Sequence, residues 1–342
     1  MFLAPANVLH YLVAHNFADL ESVVNGQFAV RDLSHRNHSF HVTCGSREYL
    51  VKQPKKWDRS GRASFDCEAG FYGLVRTHAA FAGLRDLVPE AYGYDPPNSV
   101  LILEFLPSQT SLQDAADRFS PHVARLAARV MARVHREMQG PEVAEQISAH
   151  MPGVFSMYQQ EPEELFDASE GQRELARLIR QRPAFAEALA SIRAEWRTRA
   201  LMHGDWKLAN CLVSAGHDRF KMVDWEFVTW GEPLYDAATL LQSYWCLWVQ
   251  WPERHPIEGI RPALAAFLET YAQESGVSPA EIVVPVVRLA GARMLQSAHE
   301  AVQRSESLNA AAVRLAQASL NILTRPEWAA EQLLGARACA AN

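Results

Sequence analysis

Short runs of apolar or alternating apolar and polar residues mark the first hundred positions. QFAVRDL (27–33), SFHVT (39–43), EYLVKQ (48–53) and SVLILEFL (99–106) all have strand length and strand texture. Between the last two, the period changes. In SFDCEAGFYGLVRTHAAFAGL (64–84), Phe71, Val75 and Ala79 recur at helical spacing, while Gly70 and Gly73 blur the ends of the predicted helix. Sheet, helix and sheet again predict a compact amino-terminal lobe.

FLPSQTSLQDAADRFS (105–120) ends that texture with Pro107, Ser108 and Thr110, and places the division of the chain at 106/107. Beyond it the helical period takes over. Val123, Leu126, Val130 and Val134 line one face of HVARLAARVMARVHREM (122–138), with arginines opposite and His135 expected to pack or hydrogen-bond. Interrupted helices fill 140–200. CLVS (211–214) and FKMVDW (220–225) then read as two short strands around the turn AGHD (215–218). DAATLLQSYWCLWVQW (236–251) predicts a buried helix that ends at Pro252 and Pro256. Further helices are expected in 260–275, 278–302 and 308–323.

Composition narrows the class. Of 342 residues, 49% are hydrophobic and 21% charged, which describes a folded chain large enough for two lobes. The net charge of -6 argues against nucleic acid as a main partner. Cys44, Cys67, Cys211, Cys246 and Cys339 are scattered without metal-binding spacing and are expected to be reduced. With no membrane-spanning run and no signal-peptide pattern at the start, the expected setting is cytoplasmic.

The chemistry concentrates in LMHGDWKLANCLVS (201–214) and FKMVDWEF (220–227). Asp205 and Asp224 lie nineteen positions apart, a separation that a loop and a returning hairpin can close, and Asn210 falls between them. Two carboxylates and a carboxamide suit phosphoryl transfer, which needs an oriented hydroxyl and divalent ions held by oxygen ligands; zinc is a poorer match. HGDWKLAN (203–210) followed by MVDWE (222–226) resembles the catalytic core of the aminoglycoside phosphotransferase and choline-kinase group, and GEPLYDAATLL (231–241) extends the resemblance. The resemblance implies an α+β, bilobal, protein-kinase-like fold with ATP between a mainly β amino-terminal lobe (1–106) and a largely helical carboxyl-terminal lobe (107–342). It further implies Asp205 as catalytic aspartate, His203 and Asp236 as supports of its loop, and Asn210 and Asp224 as magnesium ligands.

Lys52 in its strand-like run is the candidate partner of the ATP phosphates, with Glu68 from the next helix fixing its direction. The expected phosphate-cradling loop, RDLSHRNHSFHV (31–42), contains no glycine. Ser34, Asn37 and backbone amides are its candidate phosphate contacts, in a positive field from His35, Arg36 and His38. Glu104, Phe105 and Leu106 resemble the connector between kinase lobes and are placed near adenine. For the acceptor, residues 224–342 carry thirteen Asp or Glu against eight Arg and no Lys, a balance of -5 that favours a cationic alcohol, with Glu232 its candidate contact. The aromatic residues Trp230, Tyr244, Trp245, Trp248 and Trp251 offer either core packing or cation–π contact. The expected activity is ATP-dependent phosphorylation of a small-molecule hydroxyl, an aminoglycoside or other amino alcohol first. The alternatives are a kinase of another secondary-metabolism alcohol and an inactive kinase-like nucleotide-binding protein.

Overall fold

The computed structural model describes residues 1–35, 37–55, 59–159, 168–217 and 219–335. Arg36, Asp218 and Cys339, which figure in the sequence reading, lie outside the described residues. Helices α1 (Val8–Ala14) and α2 (Leu20–Val24) precede strands β1 (Phe28–Asp32), β2 (Asn37–Cys44) and β3 (Arg47–Pro54). Helix α3 (Arg59–Thr77) leads to β4 (Ala91–Asp95) and β5 (Val100–Glu104). Next come β6 (Gln109–Ser111), α4 (Pro121–Glu137), α5 (Pro141–Ala144), α6 (Glu170–Arg180) and α7 (Pro183–Glu195). The motif region holds β7 (Ala200–Met202), β8 (Cys211–Ser214), β9 (Phe220–Met222) and β10 (Thr229–Gly231). Among the described residues, the last elements are the helices α8 (Leu234–Gln250), α9 (Ile257–Ser275), α10 (Pro279–Ala301), α11 (Ala310–Thr324) and α12 (Pro326–Leu334).

The fold is bilobal and kinase-like, with a β-rich amino-terminal part and a largely helical carboxyl-terminal part. It packs as two compact units, Met1–Gln109 with Leu212–Val228, and Thr110–Cys211 with Thr229–Asn342. The 106/107 boundary of the sequence reading falls three residues before the first crossing, and the β9 segment carrying Asp224 packs with the amino-terminal unit.

In the first unit, five antiparallel strands pair in the order β1-β2-β3-β5-β4. The period of two then sorts every side chain to one face or the other. Phe40, Val42, Tyr49, Val51, Val100 and Ile102 form a core with Val8, Tyr11 and Leu12 of α1. The opposite face carries Lys52 together with its register partners Ser39 and Leu101. In the second unit α4 packs against α9, and α10 against both α8 and α11.

Several elements carry no sequence prediction. The first two helices have only seven and five residues, and β7 and β10 three each, too short to display a period. Among the described residues, no helix is long and apolar enough to cross a membrane.

Candidate functional site

Three residues far apart in sequence meet in the first unit. Lys52 points from β3 into α3, where its Nζ donates to both oxygens of Glu68 at 2.7 Å. It also donates to Oδ1 of Asp224 at 3.0 Å. Lys52 is 7% exposed and Glu68 fully buried. Burial opposes the charge on the ammonium, but the carboxylates of Glu68 and Asp224 outweigh it and hold the Lys52 pKa above its ordinary value. Asp224 sits just beyond β9 in the left-handed region, at φ 68°, a conformation Asp tolerates better than most residues. The adjoining Trp225 is anchored by its Nε1, which donates to Met222 O at 3.1 Å, and its ring stacks on Phe71 of α3 at 4.2 Å. The motif tryptophan thus ties the Asp224 turn to the helix that supplies Glu68.

A second group forms in the other unit. Gly204, at φ 78°, makes a left-handed turn that a side chain would strain, and the turn presents two backbone amides to one carboxylate. Asp236 of α8 accepts from His203 N at 2.7 Å and from Gly204 N at 2.9 Å. The same carboxylate meets His135 Nε2 at 3.2 Å, and the other ring nitrogen of His135 meets the Tyr271 hydroxyl at 2.9 Å. The loop is therefore held from α4, α8 and α9 together. Asp205, next along, accepts at Oδ2 from Lys207 Nζ at 2.6 Å and from Asn210 Nδ2 at 3.2 Å. Its Oδ1 accepts from Arg293 Nη2 at 3.0 Å. Burial would raise the Asp205 pKa; Lys207 and Arg293 overcome it and lower it to about 2.

Other candidates have different surroundings. The Ser34 hydroxyl accepts from Ser39 N at 3.0 Å and closes the β1–β2 connection. Asn37 opens β2 in register with Pro54. Glu104 pairs with Tyr49, so its side chain turns to the face away from Lys52, where Oε2 accepts from Glu90 N at 3.1 Å. The Phe105 ring stacks on His41 at 3.5 Å, and Leu106 is half-buried beside it. Glu232 is 8% exposed, and burial pushes its carboxyl pKa up. Its ion pair is with Arg199 at 3.7 Å. Of the aromatic residues, Tyr244 and Trp245 are buried, while Trp251 is 46% exposed.

Residues 30–282 match the profile described as "Phosphotransferase enzyme family". The chain belongs to that family. Its fold is shared with many solved structures, among them three kinases that match at low identity. A Plasmodium vivax ethanolamine kinase superposes with a TM-score of 0.65 at 13% identity, over 94% of this chain and 88% of its own. A choline kinase from Cryptosporidium parvum gives 0.60 at 13%, over 96% and 97%. A microcompartment-associated aminopropanol kinase gives 0.59 at 16%, over 95% and 98%. No curated protein matches.

A kinase-like fold of this family implies use of a nucleotide and a divalent metal. Among the described residues no cluster of three or more His, Cys, Asp or Glu is placed to hold a metal ion. The oxygen donors nevertheless suit magnesium, which takes few protein ligands beside substrate phosphates. The Asp224 side chain is 32% exposed, against 9% for Lys52 and none for Glu68. Asn210 spends its amide NH2 on Asp205, so its carbonyl oxygen is directed elsewhere.

The sequence reading missed Arg293. The signal was present: an arginine among Val286, Leu289, Ala290 and Met294, on the apolar face of a predicted helix. Lys207 lay inside the quoted motif, but its contact with Asp205 could be read only from the turn.

Proposed function

We propose that this phosphotransferase moves the γ-phosphoryl group of ATP to a hydroxyl of a small molecule, with an amino alcohol as the leading acceptor class. The observation that carries the reading is the convergence of Lys52, Glu68 and Asp224 within one unit. A buried ammonium shared by two carboxylates, one of them partly open, is suited to engage phosphate and a metal-bound nucleotide.

In this reading Lys52 binds phosphate oxygens and Glu68 fixes its direction. Asp224 and Asn210 would hold magnesium, which when bound neutralises phosphate charge. Asp205 accepts a hydrogen bond from the acceptor hydroxyl and orients the oxygen towards phosphorus. As that oxygen bonds to the γ-phosphorus, the bond to the β-phosphate oxygen breaks, and the hydroxyl proton passes to Asp205. A carboxylate with a pKa of about 2 is a weak base, so orientation precedes a late proton transfer. His203 and Asp236 keep the loop in place. Glu104, Phe105 and Leu106 remain the proposed base contacts, through backbone groups and the apolar side chains, and Ser34 and Asn37 the proposed phosphate contacts.

The amino-alcohol preference is supported by the charge balance of -5 over residues 224–342 and by fold neighbours that are ethanolamine, choline and aminopropanol kinases. Glu232 is the proposed contact for an acceptor ammonium. A cytoplasmic setting belongs to the same reading, supported by thiols at Cys44, Cys67, Cys211 and Cys246.

The test is transfer from radiolabelled ATP, with magnesium, to ethanolamine, choline, aminopropanol, kanamycin and neutral sugars. Labelled product from wild type but not from D205N supports the reading. Magnesium-dependent ATP binding without product on any compound, and without ATP hydrolysis, would turn it towards a nucleotide-binding protein.

A further inference from the structure

Arg293 projects from α10 and is 2% exposed. Its guanidinium bridges two carboxylates, with Nη2 donating to Asp205 Oδ1 at 3.0 Å and Nη1 lying 3.3 Å from Glu300 Oε1. Nη1 also donates to Ser297 Oγ at 2.9 Å, and that oxygen accepts from Gln242 Nε2 at 3.0 Å. Ser297 and Glu300, on the same face of α10 as Arg293, therefore fix the fork before it reaches Asp205, and Gln242 of α8 holds Ser297. The helix itself is seated by a close approach: a Cβ on Gly291 would come within 2.9 Å of Ile322 Cγ2 on α11. Ser319 Oγ donates to Gly291 O at 2.7 Å.

An ionised carboxylate offers about four acceptor positions. Among the described residues, Lys207 and Asn210 fill both on Oδ2, and Arg293 fills one on Oδ1. One position remains, on Oδ1 beside the guanidinium. An acceptor hydroxyl that donates to Asp205 there finds a carboxylate already fixed in its plane.

We propose that Arg293, 88 positions from Asp205 in sequence, is a positioning residue for phosphoryl transfer, locking the Asp205 carboxylate so that its remaining Oδ1 acceptor position faces the incoming hydroxyl. The inference rests on the function proposed above, because it acts through Asp205. A rigid planar fork reaches Asp205 from one nitrogen and Ser297 and Glu300 from the other, a span that the single nitrogen of a lysine does not reproduce. With Arg293 removed, Lys207 and Asn210 still engage Oδ2, but the carboxylate is free to turn about that edge.

The experiment compares wild type, R293M, R293K and D205N, with radiolabelled ATP and whichever compound of the acceptor panel is phosphorylated. If none is, hydrolysis of magnesium ATP is the readout, with water in the place of the hydroxyl. The expected result is a fall in kcat of about 100-fold for R293M, the cost typical of misplaced reacting groups. The KM for ATP stays within about threefold, and R293K recovers roughly tenfold of the loss. R293M with kcat within about threefold of wild type, per folded molecule, overturns the inference. So does a parallel rise of the KM for ATP that accounts for the whole effect. Should R293M not fold, R293K decides alone: kcat lowered about tenfold at constant KM supports the role, and wild-type kcat overturns it. Undiminished transfer by D205N would instead remove the functional reading itself, an outcome distinct from D205N inactive with R293M unimpaired.

Discussion

The two units each bury a cation against carboxylates, and they do so for different ends. In the first, one lysine serves two acids, Glu68 and Asp224, and the acid at the edge is a third exposed. In the second, one acid, Asp205, serves two cations, Lys207 and Arg293. The first arrangement keeps an ammonium charged beside a carboxylate whose side chain is partly exposed. The second keeps a carboxylate ionised, weakly basic and nearly saturated with donors. In the proposed reaction the partly exposed cluster would meet phosphate, whereas the carboxylate proposed to orient a hydroxyl is held by donors on both of its oxygens.

Removing the pinned acid is the sharpest way to break the comparison. D205N is expected to lower kcat by about 1,000-fold with nucleotide binding kept, checked by steady-state transfer beside equilibrium binding of ATP. Activity near wild type would show that the donors around Asp205 serve structure alone. D224N breaks the open side, and is expected to weaken magnesium-dependent ATP binding about tenfold or more while leaving magnesium-free binding much less affected. Titration of fluorescent ATP with and without magnesium reads the difference directly.

Acid denaturation sharpens the contrast without an acceptor. The Asp205 pKa lies at about 2 in the folded protein, below the ordinary carboxyl value of 3.8. Its contribution to stability is present above pH about 4 and lost as pH falls towards about 2, amounting to roughly 2–3 kcal/mol. The difference in urea stability between wild type and D205N should shrink by that amount between pH 6 and pH 2. A difference independent of pH would mean that Lys207 and Arg293 do not hold the acid ionised. The smallest expected effect concerns the tether of the first unit. F71L removes the ring under Trp225 and should cost about 1 kcal/mol by thermal or urea unfolding, with a modest loss of magnesium ATP affinity. Loss of stability alone would separate the stack from the Asp224 turn.

Much of this was legible in the chain before it folded. The strand runs 39–43, 48–53 and 99–106 fall on β2, β3 and β5, and the helices after residue 234 follow their apolar period. The long strands and helices were readable because burial of a face repeats over several turns or pleats. The three-residue strands β7 and β10 and the short α1 and α2 were not, because nothing repeats in them. The pattern also missed β4, whose register shifts between Ala91 and Gly93 and so breaks the alternation that marks a strand. At the site, HGDWKLAN and MVDWE pointed to Asp205, Asn210 and Asp224 because turn-forming glycine and hard oxygen donors stand close in sequence. Glu104 was named with its neighbours as a unit, yet the pleat sends its side chain to one face and Phe105 stacks with His41 on the other.

What the sequence determined by itself is the family, the order of sheet and helix, and the chemical identity of the acids, because each is written in contiguous residues and local periods. What only the tertiary structure decided is which partners those acids meet and how they are directed. Lys52 takes Glu68 from a helix and Asp224 from a returning hairpin, and Asp205 takes Arg293 from a helix seated by Gly291 against α11. Such pairings depend on which helix face reaches which turn at a distance of about 3 Å, and no local pattern encodes that distance.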